Sequence, residues 1–131
     1  MENKVHPEEI LYRIVKRSRP DGLDGKKPTS ALFKDFGGIS VDRDFKRSES
    51  VITDSFKKRF NKRMKGLVKV TANTCYEAEA FVIPAPSQDN QFHAHIFDSE
   101  KMDSLGSLKA LMIADMCELI YFDDDIEWIK P

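Results

Sequence analysis

Two histidines separated by a single residue, His93 and His95, are the side chains of this sequence best suited to chemistry. Apolar and polar residues alternate over 91–97, which predicts a β-strand with Phe92, Ala94 and Ile96 on one face. Both imidazoles then lie on the other face, about 7 Å apart. Such a pair supplies two ligands to a transition metal, or a general acid beside a phosphate. A metal needs further ligands, and no spacing in the chain fixes them, so we predict neither metal nor cofactor. We treat His93 and His95 as candidate catalytic residues, with a purely structural role as the alternative.

A second candidate is the segment 55–65, which holds six basic residues and no acidic one. It belongs to 48–64, where apolar residues recur every four positions and predict an amphipathic helix; they are Ile52, Phe56, Phe60 and Met64. Cations on the outer face of this helix would follow nucleic-acid phosphates and release counterions. The predicted binding residues are Lys57, Lys58, Arg59, Lys62 and Arg63. The alternative is a solvated helix face, which agrees better with the pI of about 6.3.

Two weaker patterns also contain chemically useful groups. Arg13, Ser30 and the acids Glu77 and Glu79 follow the order of the Arg, Ser and Glu residues used by some ADP-ribosyltransferases, but with shorter spacing. We expect Glu77 to cap a helix instead. The acidic run 123–125 offers oxygen ligands for a divalent cation. Because three consecutive acids do not converge on one ion, we expect an exposed acidic turn.

Hydrophobic periodicity and turn residues predict the elements that position these side chains. Together they indicate one α+β domain over 1–131, with a mixed or antiparallel sheet of five to six short strands. Strands are expected at 10–15, 29–34, 38–42, 67–72, 81–83 and 91–97. We expect a mobile basic loop at 16–28, a short helix at 75–80 capped by Thr74, and two main helices near 50–64 and 104–119. The second main helix is expected to cover the sheet with an apolar face formed by Leu105, Leu108, Leu111, Met112, Met116 and Leu119. The ends, 1–8 and 123–131, are expected to be the most loosely attached parts, with 126–129 as an edge strand or a packed tail.

Composition restricts the class of protein. The chain has 131 residues, of which 40% are apolar and 33% charged, as in soluble single-domain proteins. No apolar run approaches the roughly 20 residues of a membrane span, so no membrane partner is expected. The first residues lack the basic and apolar regions of a signal peptide. Cys75 and Cys117 show no metal-binding spacing, which indicates a reducing, cytoplasmic location.

The net charge of −1 hides a difference between the two halves of the chain. Residues 1–66 carry 17 basic and 10 acidic side chains, whereas 67–131 carry 4 and 12. Unless the fold interleaves the halves, this split favours a charged partner or self-association. Our leading hypothesis is a small intracellular interaction module that holds a protein partner or a second copy of itself. The alternatives are an enzyme acting on a phosphorylated or nucleotide substrate at His93 and His95, and weak nucleic-acid binding through 55–65.

Three short motifs carry a resemblance to other proteins. They are Ser30-Ala31-x-Phe33, Ser40-Val41-Asp42 and Asn90-x-x-His93-Ala94. In this order they resemble a loose group of small bacterial proteins that has no assigned activity, over roughly residues 10–120. In that group a Pro-Ala pair often precedes the histidine, where this chain has Gln91 and Phe92. The resemblance implies a bacterial cytoplasmic protein and supplies no mechanism.

Overall fold

The computed structural model describes residues 4–129 and shows an antiparallel sheet with helices on both faces. Six strands form this sheet: β1 (Ile10–Lys16), β4 (Ile39–Arg43), β5 (Met64–Thr71), β6 (Phe81–Pro84), β7 (His93–Phe97) and β8 (Glu118–Phe122). A separate hairpin joins β2 (Leu23–Asp24) to β3 (Lys27–Pro28). The helices are α1 (Glu49–Phe60), α2 (Ala72–Glu77) and α3 (Ser107–Met116). The strand order is β6-β7-β4-β1-β5-β8, so the predicted α+β single domain is confirmed.

The central strand β1 explains why the sheet is covered on both faces. Leu11 and Val15 are buried in a cluster that includes residues of α2 and α3. Tyr12 and Ile14 are buried on the opposite face, against α1. A strand with two covered faces has a nearly continuous apolar sequence rather than an alternating one. Arg13 is the exception in this strand, and it marks the candidate site described below.

Helix α1 largely follows its prediction. Ser48 caps its start by accepting a hydrogen bond from the Val51 amide at 3.3 Å. Ile52 and Phe56 are buried beneath the helix. The helix ends at Phe60, because Asn61 adopts a φ of 49° that a continuing helix does not allow. The predicted helix end at Met64 is therefore wrong, since Met64 is the first residue of β5 and is buried there.

Helix α3 differs more strongly from its prediction. It spans ten residues only, and Leu119, expected in the helix, lies in β8. The residues that face the core are Ala110, Ile113 and Ala114. The expected apolar face is wrong for four residues, which are exposed: Leu108, Leu111, Met112 and Met116. Alanines allow the backbone of α3 to approach the domain closely, so the longer side chains are left on the outer surface.

Three local predictions are also wrong. Residues Ser30–Phe33 form a 3₁₀ turn rather than a strand, and both Leu32 and Phe33 are buried. The segment 16–28 contains the β2–β3 hairpin instead of a plain loop. Helix α2 starts three residues earlier than expected, because Thr71, not Thr74, accepts the capping hydrogen bond.

The two ends of the described chain contact the domain. The Val5 amide donates to the Val82 carbonyl at 2.9 Å, and Val5 is fully buried. Trp128 packs against Phe122 with 6.5 Å between ring centroids. Residues 126–129 form no strand and pack as a tail, with the Ile129 amide donating to the Arg17 carbonyl.

Candidate functional site

The candidate site lies where two neighbouring strands separate. The ladder between β1 and β4 pairs Leu11 with Arg43 and Tyr12 with Asp42, and it ends there although both strands continue. The Arg13 side chain lies in the resulting gap, where its Nη1 donates to the Ser40 carbonyl at 2.8 Å. A guanidinium group thus takes the place of the backbone donors that a continued ladder would supply.

Arg13 is a buried cation, and each of its three side-chain nitrogen atoms donates to a protein oxygen. Its Nε donates to the Leu32 carbonyl at 2.7 Å, and its Nη2 donates to the Asp35 carboxylate at 2.7 Å. Burial lowers the pKa of Arg13, and the ion pair with Asp35 opposes that change. For Asp35, burial alone would raise the pKa, but hydrogen bonds from Arg13 and Arg19 outweigh burial and hold it below its ordinary value. Asp35 is therefore ionised and shared by two arginines.

A second ion pair lies on the other side of the gap. Asp42, only 3% exposed, accepts a hydrogen bond from Nη2 of Arg59 at 2.6 Å. Its other carboxylate oxygen accepts from the Asn90 side-chain amide at 3.0 Å. The ion pair links α1, which carries Arg59, to β4, and Asn90 connects the same carboxylate to the loop that precedes β7. Each of the two carboxylates at the gap is thus neutralised by arginine.

A cavity of about 290 Å³ opens between these ion pairs. Charged and polar groups line it together with two phenylalanine rings of α1, Phe56 and Phe60. The charged lining residues are Arg13, Lys16, Arg19, Asp35, Asp42 and Arg59, and His93 also lines the cavity. The Nδ1 atom of His93 lies 3.1 Å from the Ala85 carbonyl oxygen. Because that oxygen only accepts, the hydrogen bond places the proton on Nδ1 and leaves Nε2 as the basic nitrogen.

The two predicted catalytic histidines have different surroundings. His95 is paired with Ser40 across the β4–β7 ladder and does not line the cavity, whereas His93 does. The two rings meet edge to face, with centroids 4.6 Å apart. Burial, followed by the nearby His93, lowers the pKa of His95. An added methyl group at Gly38 would lie 2.6 Å from the His95 Cβ atom, so His95 packs on the backbone of the residue that directly precedes β4.

The motifs behind the resemblance meet at this cavity. Ala31 and Leu32 line it from the first motif, Ser40 to Asp42 from the second, and His93 from the third. Sequence reasoning did not identify Arg19 and Asp35 as part of the site. Their partners are 16 and 22 residues away along the chain, and no local pattern reports such contacts. The available signal was a charged residue inside a strand that is otherwise apolar, which Arg13 provides.

The five predicted nucleic-acid contacts do not form one uniform basic surface. Arg59 is held by Asp42 and belongs to the cavity. The Nζ atom of Lys57 lies 4.4 Å from the centroid of the Tyr121 ring. The Cζ atom of Arg63 lies 5.2 Å from the centroid of the Phe60 ring. Lys58 and Lys62 are exposed, the first on α1 and the second in the turn that follows it. Three of the five cations thus contact groups of the protein itself.

Helix α3 carries a separate surface feature, which we call the α3 face. It consists of the side chains of Leu108, Leu111, Met112 and Met116, which are 70%, 46%, 44% and 66% exposed. In residues 4–129 nine large apolar side chains are exposed, and four of them belong to this one helix. A cluster of exposed apolar residues on a folded domain is typical of an interaction surface.

The weaker candidates lie away from the cavity. Glu77 ends α2 and Glu79 follows it with a φ of 65°, and neither lines the cavity that contains Arg13. The Asp123 carboxylate accepts a hydrogen bond from the Asp125 amide at 2.9 Å, so residues 123–125 form a turn stabilised by its own first side chain. Cys75 and Cys117 are free, and burial raises the pKa of the Cys75 thiol to about 12. These two thiols are therefore protonated at neutral pH and are poor nucleophiles.

Three general findings restrict the interpretation. Within residues 4–129, no group of three or more histidine, cysteine or acidic side chains is arranged to hold a metal ion. The same residues contain no helix with the length and apolar character needed to cross a membrane. In comparisons with known proteins, no family model, no curated protein and no solved structure matches this chain.

Proposed function

We propose that this protein is a small interaction module that associates with a second copy of itself through the α3 face. The observation that supports this proposal is the exposure of Leu108, Leu111, Met112 and Met116 on one helix. A helix whose apolar residues cover more than its core-facing side is usually buried on both sides. Burying such a side chain fully contributes about 1.5–3 kcal/mol, so covering the α3 face has a clear driving force.

The spacing of the α3 face favours a second copy over an unrelated partner. Leu108 and Met116 lie four residues on either side of Met112. In an antiparallel pair of α3 helices related by a two-fold axis at Met112, Leu108 of one copy meets Met116 of the other. A two-fold interface requires a self-complementary patch of this kind. Four side chains provide less than the roughly 800 Å² per partner of a standard interface, so we expect a weak, concentration-dependent dimer.

Measuring the mass in solution tests this proposal. Sedimentation equilibrium at increasing concentration should show a mass rising from 15.1 kDa towards twice that value. The double variant Leu108→Gln/Met112→Gln should remain a monomer, because two of the four apolar side chains of the face are replaced by polar ones. Val51→Gln is the matched control, since Val51 is an exposed apolar residue (53%) on α1. A wild-type monomer at all concentrations would refute self-association, and co-purification of a different protein lost in the double variant would assign the face to that partner.

Enzymatic action on a phosphorylated or nucleotide substrate is a second proposal, and one observation favours it. His93 lines a cavity with cationic neighbours and has a basic Nε2, as a general base requires. His95 is less suited to this role, because it lies outside the cavity lining. Turnover of p-nitrophenyl phosphate that His93→Gln abolishes and His95→Gln spares would support this proposal. Equal activity in wild type and His93→Gln would reject it.

The remaining expectations concern the cellular location of the protein and its binding to nucleic acid. A cytoplasmic location is supported by the two free cysteines, because a reducing compartment keeps thiols unpaired. A bacterial source stays an expectation from the resemblance alone. Weak nucleic-acid binding is supported by the exposed Lys58 and Lys62. Its affinity for a duplex should fall steeply with salt, and a gel assay at low salt without a shifted band would exclude it.

A further inference from the structure

The cavity between β1 and β4 has properties that the association through α3 does not use. Its volume of about 290 Å³ is at the lower end of the range of small-molecule sites. No residue of the α3 face lines it. The cavity is therefore a second candidate site, with a separate occupant.

The charges around the cavity favour an anion. Four of the lining residues are cations, namely Arg13, Lys16, Arg19 and Arg59, and two are carboxylates, Asp35 and Asp42. Arg13 and Arg19 share Asp35, and Arg59 is paired with Asp42. With His93 neutral, the lining has a surplus of two positive charges. A cleft with excess charge of one sign concentrates ligands of the opposite sign.

The positions of the individual cations indicate which of them reach a ligand. Arg13 is 8% exposed and its three nitrogen atoms already donate to protein oxygens, so it sets the floor of the cavity. Lys16 is exposed, and no ion pair of the described residues includes it. The Arg19 and Arg59 side chains are 41% and 32% exposed. Arg19 donates to Asp35 and to the Ala31 carbonyl, and Arg59 donates to Asp42. Because a guanidinium group has five donors and both side chains are partly exposed, each keeps accessible donors for an anion.

The apolar part of the lining restricts the rest of the ligand. Phe56 and Phe60 line the cavity from α1, and their rings stack with an interplanar angle of 16°. Phe56 is buried, whereas Phe60 is half-buried. A half-buried aromatic ring beside cationic groups suits a ligand that combines a flat apolar body with a charged end.

We propose that this cavity binds a small phosphate monoester, with the phosphate held by Lys16, Arg19 and Arg59 and the flat body placed against Phe60. A phosphate monoester carries close to two negative charges at neutral pH, which matches the surplus of two positive charges. Its oxygens accept several charge-assisted hydrogen bonds at once, as arginine groups favour. A carboxylate supplies only half of that charge. This site does not depend on catalysis or on the α3 face.

Calorimetry with four defined probes tests the ligand class. Phenyl phosphate should bind more tightly than inorganic phosphate, which lacks the ring, and more tightly than benzoate, which carries one charge. Phenol should not bind at millimolar concentration. Benzoate or inorganic phosphate binding as tightly as phenyl phosphate would overturn the proposed ligand class, and absence of phenyl phosphate binding would remove the site.

A matched pair of lysine variants tests the location. Lys16→Gln should weaken phenyl phosphate binding by roughly tenfold, the loss of one charge-assisted contact. Lys58→Gln removes the same charge from an exposed position on α1 outside the cavity lining and should leave binding unchanged. Because both lysines are exposed, neither variant is expected to unfold, and thermal unfolding curves check this. Equal weakening in the two variants would place the anion elsewhere.

Discussion

Helices α1 and α3 carry similar four-residue apolar repeats, but only the repeat of α1 packs against the sheet. In α1 the repeat positions Ile52 and Phe56 are buried. In α3 the corresponding positions Leu108, Met112 and Met116 are exposed, and the core is contacted instead by Ala110, Ile113 and Ala114. The contrast shows that periodicity identifies an amphipathic or apolar helix without identifying which of its faces the domain covers.

Truncating one side chain on each helix should give the largest difference in the free energy of unfolding. Phe56→Ala leaves a cavity beneath α1 and should reduce the free energy of unfolding by about 3–5 kcal/mol. Leu111→Ala on the α3 face should change it by no more than about 0.5 kcal/mol in the monomer. Urea unfolding of the two variants, at a protein concentration too low for self-association, measures both changes. Similar losses would mean that the α3 face is covered within a single chain.

A similar contrast between a buried and an exposed residue exists for the two arginines that share Asp35. Arg13→Leu removes a buried cation and leaves Asp35 and two carbonyl groups with fewer donors, so we expect a loss of about 3–5 kcal/mol. Arg19→Leu removes a half-exposed partner of the same carboxylate and should cost at most about 1 kcal/mol. Chemical denaturation measures both. Comparable losses would contradict the assignment of Arg13 as the structural floor of the cavity.

Much of the fold was predictable from the sequence because local patterns report local structure. The alternation in 91–97 predicted β7, and Ala94 and Ile96 are buried as expected. Phe92, predicted on the same face, precedes the strand, and its ring contacts Phe45 and Arg47 instead. Here the residue lies outside the ladder, so the period of two no longer applies.

The candidate site was predictable only in part. His93 was identified because its residue type and spacing are visible in the sequence. The cavity also depends on the early end of the β1–β4 ladder and on ion pairs between distant residues, such as Arg59 with Asp42. No single segment contains that information, because it arises when separate elements pack together. The exposure of the α3 face was not predictable for the same reason. Ala110 and Ala114 are less apolar than the leucines and methionines around them, so the sequence favoured the longer side chains as the core-facing ones.

The smallest expected effect concerns the pH dependence of stability. The pKa of His95 is lowered in the folded protein, so between that value and the ordinary value near 6.5 the unfolded chain binds a proton that the folded chain does not. Stability should therefore fall as the pH decreases through this window. His95→Gln should flatten the stability profile between pH 7 and the acid limb, because glutamine does not titrate there. An unaltered profile in His95→Gln would contradict the account of that residue.

The most direct measurement of the association proposed for α3 is disulfide formation by Met112→Cys under mild oxidation. A two-fold axis at Met112 brings the two introduced thiols together, at a separation that packed helices and a disulfide both allow. The account predicts a covalent dimer of twice 15.1 kDa on a non-reducing gel, and a monomer for Val51→Cys, with Cys75 and Cys117 present in both. Equal cross-linking of the two variants, or none in Met112→Cys at concentrations where the mass doubles, would contradict it.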